Sequence, residues 1–204
     1  MYPWYIYVVT KVGDARRASV LDSAVQLASI DGLEGLTLGC LAGATGVTKS
    51  ALQTLFGTKE DLQLKIVSRA IEVFHQDVLL VAEAEPLGLP QARKLVDAWL
   101  DYLQTFNGGC FFVAAASELD GRPGPLRDAV ADAIHAGQER LHRQVELAVR
   151  LGELPAETDA AQLVFELHAL LLKANHDLQL DERSDALDRA RTAAHHILPR
   201  TQSA

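Results

Sequence analysis

The sequence predicts an all-α protein, and three observations support that prediction. Alanine and leucine are abundant among the 204 residues, whereas aromatic residues make up only 6%. Apolar residues recur at three- and four-residue intervals along most of the chain, which is the period of an amphipathic helix. Long alternations of β-branched and polar residues, which would indicate strands, are missing from the sequence.

Composition and charge narrow the class of protein. A hydrophobic content of 49% and a charged content of 23% are typical of a soluble globular chain. The two cysteines, Cys40 and Cys110, lack metal-ligand spacing, which argues against a disulfide framework or zinc site and fits a reducing cytoplasm. The net charge of −8 argues against a broadly basic nucleic-acid surface. Residues 1–64 carry five basic and six acidic residues, so this near-neutral third still permits DNA binding.

The chain opens with an aromatic and apolar segment, residues 1–14. This segment lacks the basic start and the length of a signal peptide. We expect it to be an extension that is disordered or loosely packed. Because no run of about 18 uncharged apolar residues occurs, we expect no transmembrane span.

Four helices are predicted between residues 15 and 74. The first, 15–31, ends at a glycine. The second and third surround a turn at Gly46, which is the pattern of a helix-turn-helix. The last three helices each follow a threonine that can accept N–H groups of the first turn: Thr37, Thr48 and Thr58.

About five more helices follow a boundary that two prolines mark near residues 85–90. They are predicted at about 91–106, 110–119, from Pro125 to Gly152, 158–179 and 183–198, which gives about nine in total. The helix at 158–179 is apolar on almost every face, so it must be buried in one copy's core or against a second copy. We predict a helix-turn-helix domain at 15–62, a larger helical domain at 63–198 and a tail at 199–204.

Two lysines occupy positions that helix electrostatics disfavour. Lys49 and Lys59 each follow a capping threonine, where the helix dipole is positive and a cation costs about 0.3–1 kcal/mol. A bound anion would complete both positions, because free N–H groups at a helix start are a ready phosphate site. The alternative is that both lysines are solvated surface residues.

The third predicted helix would carry the base contacts. The second helix of a helix-turn-helix enters the major groove with its N-terminal residues at the base edges. Ala51 there could contact a thymine methyl group. Polar groups that suit base edges or phosphates stand at Thr48, Lys49, Ser50, Gln53 and Thr54.

Residues 17–66 resemble the DNA-binding domain of the TetR family of bacterial transcriptional regulators. The resemblance is carried by Gly32, Leu36-Thr37-Leu38, Leu41-Ala42, Gly46-Val47-Thr48-Lys49-Ser50, Leu52 and Phe56-Gly57-Thr58-Lys59-Glu60-Asp61-Leu62. It implies that Thr37, Thr48 and Lys59 contact phosphates and that the third helix reads bases. Gln53 and Leu55 stand where the family usually has tyrosine and often histidine, so the contact made at Gln53 departs from the usual one.

Residues 108–125 are similar to one C-terminal subgroup of the same family, through Gly108-Gly109-Cys110-Phe111-Phe112, Ser117-Glu118-Leu119-Asp120 and Arg122-Pro123-Gly124-Pro125. This similarity implies that 91–198 binds a ligand and forms a homodimer through about 158–198. The candidate pocket residues are Trp99, Tyr102, Leu103, Phe106, Phe111, Phe112 and Phe165, with His168 and Asn175 as polar contacts. The alternative is that these aromatic residues are plain core.

No catalytic constellation, cofactor motif or metal site is predicted. His195 and His196 are adjacent and do not share a helix face, so we expect both at the surface. Cys110 has no accompanying base or oxyanion loop, and we expect it to be a small buried residue.

The leading hypothesis is a cytoplasmic homodimer that binds a palindromic DNA operator and represses transcription until a small apolar effector separates the recognition helices. The second hypothesis is a helical ligand-binding or interaction module that has lost operator binding. The acidic net charge and Gln53 keep this second hypothesis open. A small all-α enzyme has no catalytic residues to support it.

Overall fold

The computed structural model describes residues 3–199, and the side chains of residues 15–199. Within that range the chain folds into nine α-helices without a strand, so the all-α prediction is confirmed. In chain order the helices are α1 (Pro3–Gly35), α2 (Leu38–Thr45), α3 (Lys49–Phe56), α4 (Lys59–Phe74), α5 (Leu89–Tyr102), α6 (Phe111–Leu119), α7 (Pro125–Arg150), α8 (Ala160–Gln179) and α9 (Ala186–Ile197). A π-helical turn, His75–Leu79, and a short segment, Leu80–Ala82, continue α4.

The first helix is longer than the sequence predicts. It begins at Pro3, so the backbone of residues 3–14 is helical and continuous with the predicted helix 15–31, whereas the sequence suggested a disordered or loosely packed extension. Proline suits the first turn of a helix, and no second proline interrupts the chain before Pro86. Residues 1–2, and residues 200–204 of the predicted tail, lie outside the described residues.

Helix α1 breaks at the glycine that the sequence marks as its end. Gly32 has φ 77° and ψ 164°, a conformation that residues with a Cβ rarely adopt. A last helical turn, residues 33–35, follows the break. Because the helical hydrogen-bond ladder is interrupted at Gly32, the first N–H groups of this turn need acceptors from elsewhere.

The three predicted threonine caps are present. The hydroxyls of Thr37 and Thr48 each accept a hydrogen bond from the N–H three residues later, at 3.1 and 3.3 Å. Thr58 and Asp61 form a capping box, in which the Asp61 N–H donates to the Thr58 hydroxyl at 3.1 Å and the Thr58 N–H donates to the Asp61 carboxylate at 2.9 Å. These caps fix where α2, α3 and α4 begin.

One hydrophobic core runs through both halves of the chain. Helix α4 packs on α1 and α7, α6 contacts both α1 and α7, and α8 packs against α9 and α7. Phe74, the last residue of α4, meets three aromatic rings edge-on: Trp99, Tyr102 and Phe112, with ring centroids 5.1, 5.2 and 5.9 Å away. The helix that follows the helix-turn-helix therefore also belongs to the core of the second half.

The five helices of the second half lie within a few residues of their predicted positions. The largest difference is α5, which ends at Tyr102 and not near residue 106. The chain turns there because Asn107, Gly108 and Gly109 favour turns over a continued helix. No helix in the described range is long and apolar enough to cross a membrane.

The loop before α6 lies directly on α1. A Cβ at Gly108 would be only 2.0 Å from the carbonyl oxygen of Ser29. The Gly108 N–H donates to the Ser29 hydroxyl at 3.2 Å. Only glycine permits this approach, which fixes the start of α6 against α1.

Replacing Gly108 with alanine should destabilise the protein by about 1–3 kcal/mol, because the added methyl group forces the two backbones apart. Gly43→Ala is the matched control, since a Cβ there meets nothing within 4 Å. Alanine at that helical position should stabilise the protein by about 0.5–1 kcal/mol. Chemical denaturation of both variants measures the difference, and equal effects would contradict the close approach at Gly108.

Candidate DNA-binding surface and ligand cavity

Helix α3 turns one face to the core and the other to solvent. Leu52 and Phe56 are buried, as is Val47 just before the helix. This amphipathic arrangement decides which side chains of α3 a DNA duplex can reach. The exposed ones are predicted DNA contacts: Thr48, Lys49, Ser50, Gln53 and Thr54.

Several polar groups of this face already bond within α3. The Thr48 hydroxyl, which caps the helix, lies 3.2 Å from the Ser50 hydroxyl. The Thr54 hydroxyl donates to the Ser50 carbonyl oxygen at 2.9 Å. Ala51 is half-buried against the core, and its contact with a thymine methyl group stays a prediction. Lys49 and Gln53 extend from the exposed face.

Thr37 and Lys49 come from different helices and converge at the start of α2. The Lys49 Nζ and the Thr37 hydroxyl oxygen lie 3.2 and 3.5 Å from the position that a Cβ of Gly39 would take. An ammonium group, a hydroxyl and the first N–H groups of α2 thus border one small space, which suits a phosphate oxygen. Sequence reasoning missed Gly39, whose only signal is that glycine inside a helix is unfavourable unless another group approaches closely.

Lys59 has a partner within the protein. Its Nζ donates to the Glu34 carboxylate at 3.0 Å and to the Glu34 carbonyl oxygen at 2.9 Å. The Gln63 amide donates to the same carboxylate at 3.0 Å. Hydrogen bonds from Lys59 and Gln63 hold the pKa of Glu34 below its usual value. Glu34 therefore already supplies an anion for Lys59, and the phosphate contact of Lys59 stays a prediction.

An apolar cavity of about 270 Å³ lies among α5, α6, α7 and α8. A neighbouring cavity of about 190 Å³ shares three wall residues with it: Ala116, Asp120 and Ile134. Small side chains on one face of α6 leave room for both volumes. Helix α6 therefore forms a wall common to the two cavities.

The predicted pocket residues divide into three groups. Trp99, Leu103, Phe112 and His168 line the larger cavity. Tyr102, Phe106 and Phe111 are buried outside its lining, in agreement with the plain-core alternative. The prediction that Phe165 lines the pocket is wrong, because α8 turns this side chain away from the core and leaves it 69% exposed. The lining residues that the sequence analysis missed follow helical spacing on α6, α7 and α8: Val113, Ala116, Ser117, Asp120, Ile134, Leu171 and Leu172.

The polar groups in and beside the cavity wall mostly hydrogen-bond to other groups of the protein. The His168 Nδ1 lies 3.0 Å from the Gln138 amide nitrogen, and burial lowers the pKa of this imidazole. Burial raises the pKa of the Cys110 thiol to about 11, so the thiol stays protonated and is a poor nucleophile. The side-chain amide oxygen (Oδ1) of Asn175 accepts a hydrogen bond from the Cys110 N–H at 2.8 Å. Asn175 thus joins α8 to the start of α6 and is not directed at a ligand.

The exposed side of α8 carries one apolar stripe beside the polar residues Gln162, Glu166 and Lys173. Phe165 and Leu172 are 69% and 41% exposed, and Ala161 and Ala169 lie at the surface with them. Their spacing places them on one stripe of the helix. Within the described chain the core covers only the opposite side of α8, so the predicted burial on every face would require a second copy.

The two adjacent histidines near the C-terminus differ in environment. The His195 Nε2 lies 3.0 Å from the Asp97 carboxylate, which also accepts a hydrogen bond from Arg191 at 2.9 Å. His196 is exposed. The His195 side chain is 34% exposed, so it lies at the surface while its imidazole contacts α5.

One group of three ligand-type side chains lies close together among residues 15–199: His176, Asp177 and Asp181. Lys173 already pairs with the Asp177 carboxylate. Hydrogen bonding to Lys173 holds the pKa of Asp177 below its usual value. The group is accounted for by charge pairing at the end of α8.

A helix-turn-helix with an exposed polar recognition helix, built onto a larger helical domain, defines the class of helix-turn-helix transcriptional regulators. Residues 88–194 match the family model described as the tetracyclin repressor-like C-terminal domain. The chain belongs to the TetR family of transcriptional regulators.

Solved structures, among them two TetR-family regulators, share this fold. A TetR transcriptional regulator from Chloroflexus aurantiacus J-10-FL is 24% identical, with a TM-score of 0.85 over 95% of this chain and 100% of that one. A TetR-family regulator from Cytophaga hutchinsonii is 17% identical, with a TM-score of 0.79 over 93% and 96%. AibR, solved with isovaleryl coenzyme A and operator DNA, is 18% identical, with a TM-score of 0.74 over 91% and 99%. No curated protein matches the chain in sequence.

His168 should make stability depend on pH. Because burial lowers its pKa in the folded state below the ordinary 6.5, the unfolded chain takes up the proton first, and stability falls as the pH drops below about 6.5. His168→Gln should flatten the slope of unfolding free energy against pH by up to about 1.4 kcal/mol per pH unit. Chemical denaturation from about pH 7 to about pH 5 measures that slope. His75→Gln removes an exposed histidine as the control, and a His168→Gln slope equal to wild type would refute the prediction.

Proposed function

We propose that this chain is a homodimeric transcriptional repressor that binds a palindromic operator in the cytoplasm and releases it when a small, largely apolar molecule fills the cavity. The observation that carries the proposal is the exposed polar face of α3 beside the converging Thr37 and Lys49. The proposal assigns residues 15–62 to DNA binding and 63–198 to ligand binding and dimerisation. It assigns no catalytic, cofactor or metal chemistry to the chain.

The proposed DNA contacts separate into phosphate and base contacts. Thr37 and Lys49 bind one phosphate at the start of α2, where they already converge. Gln53, exposed near the middle of α3, reaches a base edge, where an amide suits adenine. Lys59 binds a second phosphate by exchanging the Glu34 carboxylate for a phosphate oxygen.

The proposed dimer interface is centred on the outer stripe of α8. Exposed phenylalanine and leucine side chains on one helix face indicate a surface that a partner covers. A two-fold interface uses the same patch on both copies, so this stripe would meet its own counterpart. Helix α9 packs along α8 and would join the interface.

The proposed effector site is the larger cavity. Its volume and mostly apolar wall suit a small molecule with one or two polar groups. AibR has been solved with both isovaleryl coenzyme A and operator DNA, which supports a fold of this kind holding an effector and DNA.

A second candidate function is a helical ligand-binding or interaction module without operator binding. The observation that favours it is the Glu34–Lys59 ion pair, which neutralises a proposed phosphate contact. Selection of bound sequences from a randomised double-stranded DNA library at low salt separates the two candidates. Enrichment of a palindrome supports the repressor, whereas no enrichment supports the module.

Lys49→Ala should weaken binding to the selected DNA and reduce the slope of log affinity against log salt by about 0.9, because one phosphate contact is lost. Lys94→Ala, on α5 in the second half of the chain, is the control and should leave the slope unchanged. Binding isotherms at several salt concentrations measure both slopes. The phosphate role of Lys49 would be wrong if its variant kept the wild-type slope.

Phe165→Glu should convert the dimer to a monomer, because it places a charge in the centre of the proposed apolar interface. Ile71→Glu is the matched control, since Ile71 is also an exposed apolar residue but lies on α4. Sedimentation equilibrium gives the mass of each variant. A dimeric Phe165→Glu protein would place the interface elsewhere.

A further inference from the structure

One carboxylate joins the wall of the cavity to the helix-turn-helix. Glu118, in the last turn of α6, accepts a hydrogen bond from the Leu33 N–H at 2.8 Å and from the Glu34 N–H at 2.9 Å. Each of its two oxygens accepts one of these bonds. The two amides belong to the turn 33–35, which needs acceptors because the break at Gly32 interrupts α1. A residue from the second half of the chain thus caps a helical turn of the first half.

The backbone around Gly32 is shaped to receive this carboxylate. A Cβ at Gly32 would lie 2.9 Å from one Glu118 oxygen and 3.0 Å from the other. Gly32 therefore meets two requirements together, a left-handed φ and the space for a carboxylate. The Glu118 contact is therefore a reason for glycine at position 32 in addition to its positive φ.

Helix α6 is fixed at its start as well as its end. The Cys110 N–H donates to the Asn175 side chain of α8, and Gly108 lies on Ser29 of α1. Helix α6 is therefore connected to α8 at one end and to the turn 33–35 at the other. Between these ends it lines the cavity with Val113, Ala116 and Ser117.

The Glu118 contact continues toward a proposed DNA contact. Glu34, whose N–H donates to Glu118, holds Lys59 through its own carboxylate at 3.0 Å. Gln63 donates to both the Leu33 carbonyl oxygen, at 2.9 Å, and the Glu34 carboxylate. The turn 33–35 is therefore bonded to α6 on one side and to the start of α4 on the other.

We infer that Glu118 is a positioning residue that fixes the helix-turn-helix relative to the cavity wall, so that displacement of α6 by a cavity occupant moves the turn 33–35 and the start of α4. The interaction requires two acceptor oxygens, because both partners are N–H donors. Glutamine has the same shape but would direct an NH₂ group at one of the two donors. Only the part of the inference that concerns DNA binding rests on the proposed function.

The contact itself is tested by backbone amide exchange in the full-length protein. In Glu118→Gln the amides of residues 33 and 34 should exchange about tenfold faster or more, because a hydrogen bond to a charged group is lost. Glu157→Gln, which alters an exposed glutamate before α8, is the matched control and should leave these two amides unchanged. Unchanged exchange in Glu118→Gln would overturn the inference whether or not the protein binds DNA.

The positioning role is tested with a substitution that fills the cavity. Ala116→Phe places a tethered occupant on α6 where the two cavities meet, and Val113→Phe is a second variant with the same purpose. In the wild-type background either should weaken binding to DNA selected from a randomised library by about tenfold, a common size for allosteric coupling. In the Glu118→Gln background the same substitution should change affinity by less than about threefold.

The outcomes separate this inference from the proposed function. Equal effects of cavity filling in both backgrounds would overturn the positioning role of Glu118 while leaving DNA binding in place. Faster amide exchange in Glu118→Gln, with no DNA selected by any variant, would support the contact and overturn the repressor function. A simple loss of folding in Glu118→Gln would expose amides throughout α3 and α8 as well, whereas the inference requires the change to centre on residues 33–35.

Discussion

The two hydrogen bonds that Glu118 accepts from Leu33 and Glu34 join the last turn of α6 to the turn 33–35, across the boundary between the two halves. The break at Gly32 leaves these N–H groups without helical partners, and the Leu33 donor is part-buried, which makes it costly to leave unpaired. The chain supplies the acceptor from α6, a helix that also lines the cavity and is bonded to α8 at its other end. The proposed effector site, dimer helix and DNA-binding helices therefore meet at α6.

A second carboxylate controls the charge of the proposed DNA surface. Glu34 holds Lys59 through both its side chain and its carbonyl oxygen, so a phosphate must compete with a group already in place. Both partners are about half exposed, so solvent weakens this pair and exchange for a phosphate costs little. Lys49 differs, because its ammonium group lies beside the Thr37 hydroxyl and the first turn of α2 and, within the described chain, not beside a carboxylate. We therefore propose that Lys49 is always available to attract DNA phosphates. The contribution of Lys59 to DNA binding depends on the position of the turn 33–35, which carries its partner Glu34.

Local signals predicted most of the fold, and long-range contacts account for what they missed. Threonine caps and glycine turns are short-range features, so α2, α3 and α4 begin where the sequence indicates. The partners of Lys59 and of the turn 33–35 lie 25 and about 85 residues away, beyond any periodic pattern. The exposure of Phe165 could not be predicted either, because the same helical spacing places an aromatic residue on a cavity wall or on an exposed stripe. The helical start at Pro3 was missed because composition alone suggested an irregular segment.

The central claim is that the content of the cavity sets the position of the DNA-binding helices. Cys40 is exposed on α2, whereas Cys110 is buried, so a spin label attaches selectively to the DNA-binding half of each copy. Double electron–electron resonance in the proposed dimer then measures the distance between the two labels. Val113→Phe, which fills the cavity from α6, should shift that distance distribution from the wild-type one. An identical distribution in a folded, cavity-filled dimer would contradict the account.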